Sequence, residues 1–205
     1  MLNSKQYKII GETLLFACEN GFTNIVKLLL EDQRIDVNYD TEYGDTALIL
    51  ACRKGNTDII QLLIEHGADI NYGCDDDAVA GWTALLWACI EGHTNICKLL
   101  IAHGADVNKA GNYGRTPLTS ASEDGYTDIV QLLLDNGARI NYSNDYGTSL
   151  IGASKNGHPN CVQVLLKYGA GVNNTDDCGY TALSWARENG YAKIIQLLLD
   201  NGAAP

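Results

Sequence analysis

Seven cysteines and four histidines are the side chains of this chain most able to hold a metal, close a disulfide or act as nucleophile and base. Their placement argues against all three. Cys18, Cys52 and Cys89 each follow an alanine at one recurring position, and Cys97 and Cys161 stand where isoleucine or valine stands in matching segments. Those five read as small buried apolar residues. Cys74 and Cys178 are the two expected at the surface, far apart in sequence, and no Cys-x-x-Cys occurs. An odd count so placed suits a reducing compartment. His93 and His158 follow glycines; His66 and His103 precede glycines at helix C-termini, which favour a cation. Asp75-Asp76-Asp77 lacks the alternating donors and distant glutamate of a dedicated calcium loop, and reads as a solvated acidic tip. The glycines are spread along the chain rather than clustered to cradle a phosphate. The expectation is a protein that is not an enzyme, with no cofactor and no metal.

The elements that carry these residues follow from composition and periodicity. With 205 residues, 46% hydrophobic and 19% charged, the chain can bury a core. A net charge of −11 opposes phosphate backbones, so no nucleic acid is expected. No apolar run is long enough to span a bilayer, so no membrane is expected either. Met1 to Lys8 is polar and is followed by no signal-type stretch, which points to an intracellular, cytoplasmic protein, with delivery into a host cell left open.

Self-similarity decides the architecture. Gly21, Gly55, Gly92, Gly125, Gly157 and Gly190 are separated by 34, 37, 33, 32 and 33 residues, and Ala17, Ala51, Ala88, Ala121, Ala153 and Ala186 keep the same separations. Seven residues after each glycine stands Leu28, Leu62, Leu99, Leu132, Val164 or Leu197. The fourth unit shows the grammar. Thr116-Pro117 starts a short helix, hydroxyl as cap and proline at the first helical position, and Gly125 ends it. Asp128 to Gly137 is a second helix with apolar residues at helical spacing, and Ala138 to Gly147 is a turn-rich, hairpin-like connector. One such unit cannot bury its own apolar face, so units must stack.

Gly114-Arg115-Thr116-Pro117-Leu118, the pairs Gly92-His93 and Gly157-His158, and Gly104-Ala105-Asp106-Val107-Asn108 resemble the ankyrin repeat. The likeness covers nearly the whole chain as six repeats, about 5–38, 39–71, 72–108, 109–141, 142–173 and 174–205, within one domain spanning 1–205. It implies an all-α solenoid in which inner helices line a concave face, outer helices form the back and hairpins project sideways. It also implies a non-catalytic interaction scaffold or adaptor, monomeric, that binds a protein or peptide partner; the alternative is a regulatory inhibitor of an enzyme such as a kinase. Two sequons begin at Asn141 and Asn173, in a hairpin asparagine column that is hydroxylated in some animal members of the family.

Departures from the pattern are informative. Glu12 takes the threonine position of repeat one, which reads as a cap, and the hairpin ahead of repeat three is four residues longer than the others. Repeat five is one residue short between Gly147 and Leu150 and carries Gly152 inside a helix, at about 1 kcal/mol relative to alanine. It is expected to be the weakest repeat. Ile194, Ile195 and Leu198 are expected to lie unshielded, and truncating Leu99, as an interior position, is expected to cost about 2–5 kcal/mol.

Function then belongs to exposed, variable positions. Each of five hairpin tips carries an aromatic, Tyr43, Trp82, Tyr113, Tyr146 or Tyr180, expected to form a contact ladder; Asp45 and Arg115 flank the tips. Arg53, Glu91 and Asp124, at the ends of inner helices, complete the expected partner-binding set. Their mixed signs favour a folded protein or a peptide over a uniformly charged ligand.

Overall fold

The computed structural model describes residues 4–74 and 80–204, so Asp75-Asp76-Asp77 lies outside the described residues. Two compact units divide the chain between Asp106 and Val107. The first holds α1 (Ser4–Glu19), α2 (Thr23–Leu30), α3 (Ala47–Lys54), α4 (Thr57–Glu65), α5 (Ala84–Ile90) and α6 (Thr94–Ala102). The second holds a 3₁₀ turn (Asn112–Gly114), α7 (Pro117–Glu123), α8 (Thr127–Asp135), the hairpin strands β1 (Ser143–Asn144) and β2 (Gly147–Thr148), α9 (Ser149–Lys155), α10 (Pro159–Lys167), α11 (Ala182–Glu188) and α12 (Ala192–Asp200). The odd-numbered inner helices pack in succession within each unit, α1 on α3 on α5 and α7 on α9 on α11; behind them, α2 meets α4 and α8 meets α10, which meets α12. The fold is an all-α solenoid.

A threonine stands at the N-cap of every inner helix after α1, and four of the five make the cap bond. The hydroxyls of Thr46, Thr83, Thr116 and Thr181 accept from the backbone N–H groups of Ile49, Leu86, Thr119 and Ser184. Such caps stabilise by about 1 kcal/mol each. Repeat one needs none, because α1 continues through Glu12 as one long helix. The inner helices end at left-handed glycines, and Gly125 (φ 79°) shows a second reason for the residue type: a Cβ there would meet His158 Nδ1 at 2.5 Å. His158 Nε2 lies 2.9 Å from the Glu123 carbonyl, tying repeat five to repeat four.

A second set of ties runs through the hairpin asparagines. Asn38, Asn71, Asn108, Asn141 and Asn173 accept from the backbone N–H of Asp69, Asp106, Arg139, Gly171 and Ala204, one repeat on, at 2.7–2.8 Å. These polar side chains do for the connectors what the leucines do for the helices.

The core corrects one expectation. Leu99 and its equivalents Leu62, Leu132, Val164 and Leu197 are only half-buried, and Leu28 is 68% exposed. The interior position is one residue later: Leu63, Leu100, Leu133, Leu165 and Leu198 are fully buried. Seven and eight residues after the glycine differ by about 100° around a helix, and the eighth faces the inner helix. Leu99→Ala therefore falls short of the full core cost. Similarly, Ile194 and Leu198 are buried, while Ile195 is half-buried.

Candidate functional site

The five tip aromatics separate into two sets by their place relative to the hairpin glycine. Tyr43, Tyr113 and Tyr146 precede it, at the apex, and are 56–58% exposed. Trp82 and Tyr180 follow it, five residues before an inner-helix tryptophan, and fold back onto that ring: centroids lie 4.8 Å apart for Trp82–Trp87 and 4.9 Å for Tyr180–Trp185. The uniform ladder of five is thus three projecting tyrosines plus two packed aromatic pairs. The identical spacing of Trp82/Trp87 and Tyr180/Trp185 carries that signal in the sequence.

Tyr113 is held in an unusual way. It has φ 54°, the one positive φ outside glycine among the described residues, and Gly114 follows at φ 67°. The Arg115 N–H donates to the Asn112 carbonyl at 3.2 Å. Two successive left-handed residues closed by this bond make a type I′ turn, whose first central position favours asparagine or glycine. A tyrosine there costs about 1–2 kcal/mol.

The charged members of the expected set are mostly engaged within their own unit. Arg53 sits 5.3 Å above the Trp87 ring, 3.5 Å from Asp45 and 3.9 Å from Glu19. In the second unit Arg115 reaches Glu123 at 2.5 Å, and Lys155 lies 4.2 Å over Trp185. Burial pushes the Glu123 carboxyl above its ordinary range against the pull of Arg115. Burial would also raise Asp176, but the Trp185 indole N–H (2.8 Å) and the backbone N–H groups of Tyr180 and Cys178 outweigh it and hold that carboxyl low. Glu91 and Asp124 are exposed at the C-caps of α5 and α7, an end where the helix dipole disfavours an acid.

The thiols and imidazoles settle into structural places. Cys18, Cys52, Cys89, Cys97 and Cys161 are buried and Cys178 is exposed, as their positions predict. Cys74 overturns its expectation: it is 1% exposed, its thiol donating to Asp45 at 3.4 Å, and burial pushes its pKa up to about 12. The cause is a clasp at the base of the long hairpin, where the Cys74 N–H donates to the Trp82 carbonyl and the Gly81 N–H to that of Cys74. His66 and His103 bond carbonyls of Leu62 and Leu99 at their own helix ends. Among the described residues no three His, Cys, Asp or Glu side chains group to hold a metal, and no helix is long and apolar enough to cross a membrane.

Comparison with known proteins agrees with this geometry. The sequence signature of ankyrin repeats in three copies matches residues 2–74 and 71–144, that of ankyrin repeats in many copies matches 133–186, and that of a single ankyrin repeat matches 178–205. No curated protein matches the chain. Among solved structures, an ankyrin repeat domain from Acinetobacter baumannii is 33% identical, with a TM-score of 0.84 over 94% of this chain and 98% of that one. The human ASB11 ankyrin repeat domain is 28% identical, with a TM-score of 0.82 over 93% and 84%. Ankyrin repeats are in general modules for protein–protein interaction. From the threonine-capped inner helices to the asparagine ties, the chain belongs to the ankyrin repeat family.

Proposed function

We propose that this protein is a non-catalytic interaction scaffold, binding a protein or peptide partner through hairpin tips and inner-helix ends. The observation that carries the reading is Tyr113, an aromatic side chain held outward at a strained left-handed tip where asparagine would be more stable. Backbone strain retained at an exposed aromatic is characteristic of recognition sites. Tyr146 in the same unit and Tyr43 in the other project equally, and tyrosine supplies large, rigid contact area at small entropic loss. Glu91 and Asp124, at helix C-caps, add acidic contacts. Arg53 and Arg115 are spent on intramolecular pairs and serve the surface by fixing its shape.

The test separates stability from binding. Tyr113→Asn relieves the turn and should raise unfolding free energy by about 1 kcal/mol while weakening capture of the protein's partner from its native cell. Tyr113→Ala with Tyr146→Ala should abolish capture from a bait whose circular dichroism is unchanged. Undiminished capture by the folded double variant would refute the reading.

A further inference from the structure

Two tryptophans, one in each unit, carry a cation on the ring. Arg53 and Lys155 both stand two residues before a turn glycine, Gly55 or Gly157, and Trp87 and Trp185 stand five before the glycine of the next repeat. Each cation reaches forward by one repeat, Arg53 to 5.3 Å from the Trp87 centroid and Lys155 to 4.2 Å from that of Trp185. Beside each ring packs the aromatic that follows the hairpin glycine, Trp82 or Tyr180. One construction made twice, with two different cations, shows what this face takes: positive charge on an aromatic surface.

The two cations are held unequally. The Arg53 side chain is 28% exposed and is pinned by Asp45 at 3.5 Å and Glu19 at 3.9 Å. Lys155 is exposed, and its ammonium rests on the ring without an ion pair among the described residues. Its charge is felt by Glu123 of repeat four and by Asp176 of repeat six. Asp176 also works on the ring itself. It accepts from the Trp185 indole N–H at 2.8 Å and from the backbone N–H groups of Tyr180 and Cys178 at 2.9 and 3.0 Å. A carboxylate on the indole N–H pushes electron density onto the ring and strengthens its pull on a cation. Among the described residues the Trp87 N–H donates to no carboxylate.

We infer that the Trp185 face is an arginine subsite: a guanidinium of the protein or peptide partner displaces Lys155 and stacks on Trp185 beside Tyr180. This rests on the scaffold reading above and names the chemistry that one part of its surface recognises. Lys155 is the stand-in for the ligand group. A guanidinium is planar, weakly hydrated and stacks on an aromatic face, whereas an ammonium is a compact, strongly hydrated point charge. The exchange leaves Glu123 and Asp176 with a cation nearby and returns the lysine stem to its freedom in water. A net charge of −11 draws a basic segment towards the chain.

Titration of the full chain with the blocked amides of arginine, lysine and citrulline tests this, read by NMR of the indole N–H signals. The Trp185 signal is assigned by its loss in Trp185→Leu. The arginine amide should shift that signal to saturation and leave the Trp87 signal in place. The lysine amide should bind more weakly, and citrulline, of the same shape without the charge, should not bind. Lys155→Ala, at an exposed side chain, should tighten arginine binding about two- to fivefold by removing the competing cation, and Lys155→Arg should weaken it. Asp176→Asn keeps an acceptor for the indole, loses the charge and should weaken binding with circular dichroism unchanged. A Trp185 signal that arginine does not move overturns the inference, as does equal binding of citrulline or an affinity indifferent to Lys155. The scaffold reading fails separately. Partner capture undiminished in Trp185→Leu, with the arginine amide inert, removes the subsite and leaves the scaffold. Arginine binding at Trp185 by a chain that captures no partner does the opposite.

Discussion

Repeats four and five lie side by side in one unit, α7 against α9, yet their openings are built differently. Repeat four starts with a reciprocal box: Thr116 accepts from the Thr119 N–H at 3.2 Å, and the Thr119 hydroxyl accepts from the Thr116 N–H at 2.9 Å. Repeat five, one residue shorter, draws its tip into the paired strands β1 and β2, with Ser143 opposite Thr148. Thr148 still occupies the N-cap position but makes no cap hydrogen bond, and its hydroxyl is buried without a partner. The hairpin is paired and the cap bond is absent, whereas Thr46, Thr83 and Thr181 are bridged across their hairpins and still cap. Gly152 shows a trade, since a Cβ there would lie 2.8 Å from Glu123 Cγ of the repeat before. The glycine makes room for the carboxylate side chain that pairs with Arg115.

This contrast can be broken or sharpened by substitution. The largest effect is expected from the core leucines, Leu133→Ala and Leu165→Ala, each losing about 2–5 kcal/mol in denaturant unfolding. Amide exchange should reach the segment from Gly147 to Val172 sooner than repeats two to four; slower exchange there would show repeat five to be well knit. Thr116→Ala should lose about 1–2 kcal/mol, while Thr148→Ala should be near neutral because it deletes an unpartnered hydroxyl. Equal losses at the two threonines would mean that the caps are alike in solution.

Gly152→Ala should fail to realise the helix-propensity gain of about 1 kcal/mol in the wild type and realise it in a Glu123→Ala background, read as coupling in a double-mutant cycle. The smallest effect concerns pH. Because the folded state holds the Glu123 proton more tightly than the unfolded chain, whose carboxyl titrates near 4.5, this group's contribution falls as pH rises from 4.5 through the raised folded value. Glu123→Gln should remove that segment of the pH–stability curve. An unchanged curve would place the proton elsewhere.

The repeat columns made the architecture readable, because glycine, alanine and leucine recur for reasons of backbone sign, close packing and burial that each repeat must satisfy. What the columns hid was side-chain direction. Apolar residues at both Leu99 and Leu100 satisfy a helical pattern, and only packing shows which one faces the inner helix. Cys74 lies in the long hairpin, where no other repeat offers a register for comparison, so its burial beneath the Trp82 clasp was out of reach. At the tips the aromatics were visible, but whether they project depends on a single step across the glycine: Tyr146 stands before it and Tyr180 after it. Trp87 and Trp185 were missed as surface elements because an inner-helix tryptophan reads as core.

The asparagine ties have one more consequence. Asn38 to Asp69, Asn71 to Asp106, Asn108 to Arg139, Asn141 to Gly171 and Asn173 to Ala204 each reach only 30 to 35 residues along the chain. At a ribosomal rate of about 5–20 residues per second, the group that satisfies each amide emerges within about 2–7 s of it. A nascent chain can therefore make the first four of these ties in order, as each amide appears, before α12 has been translated.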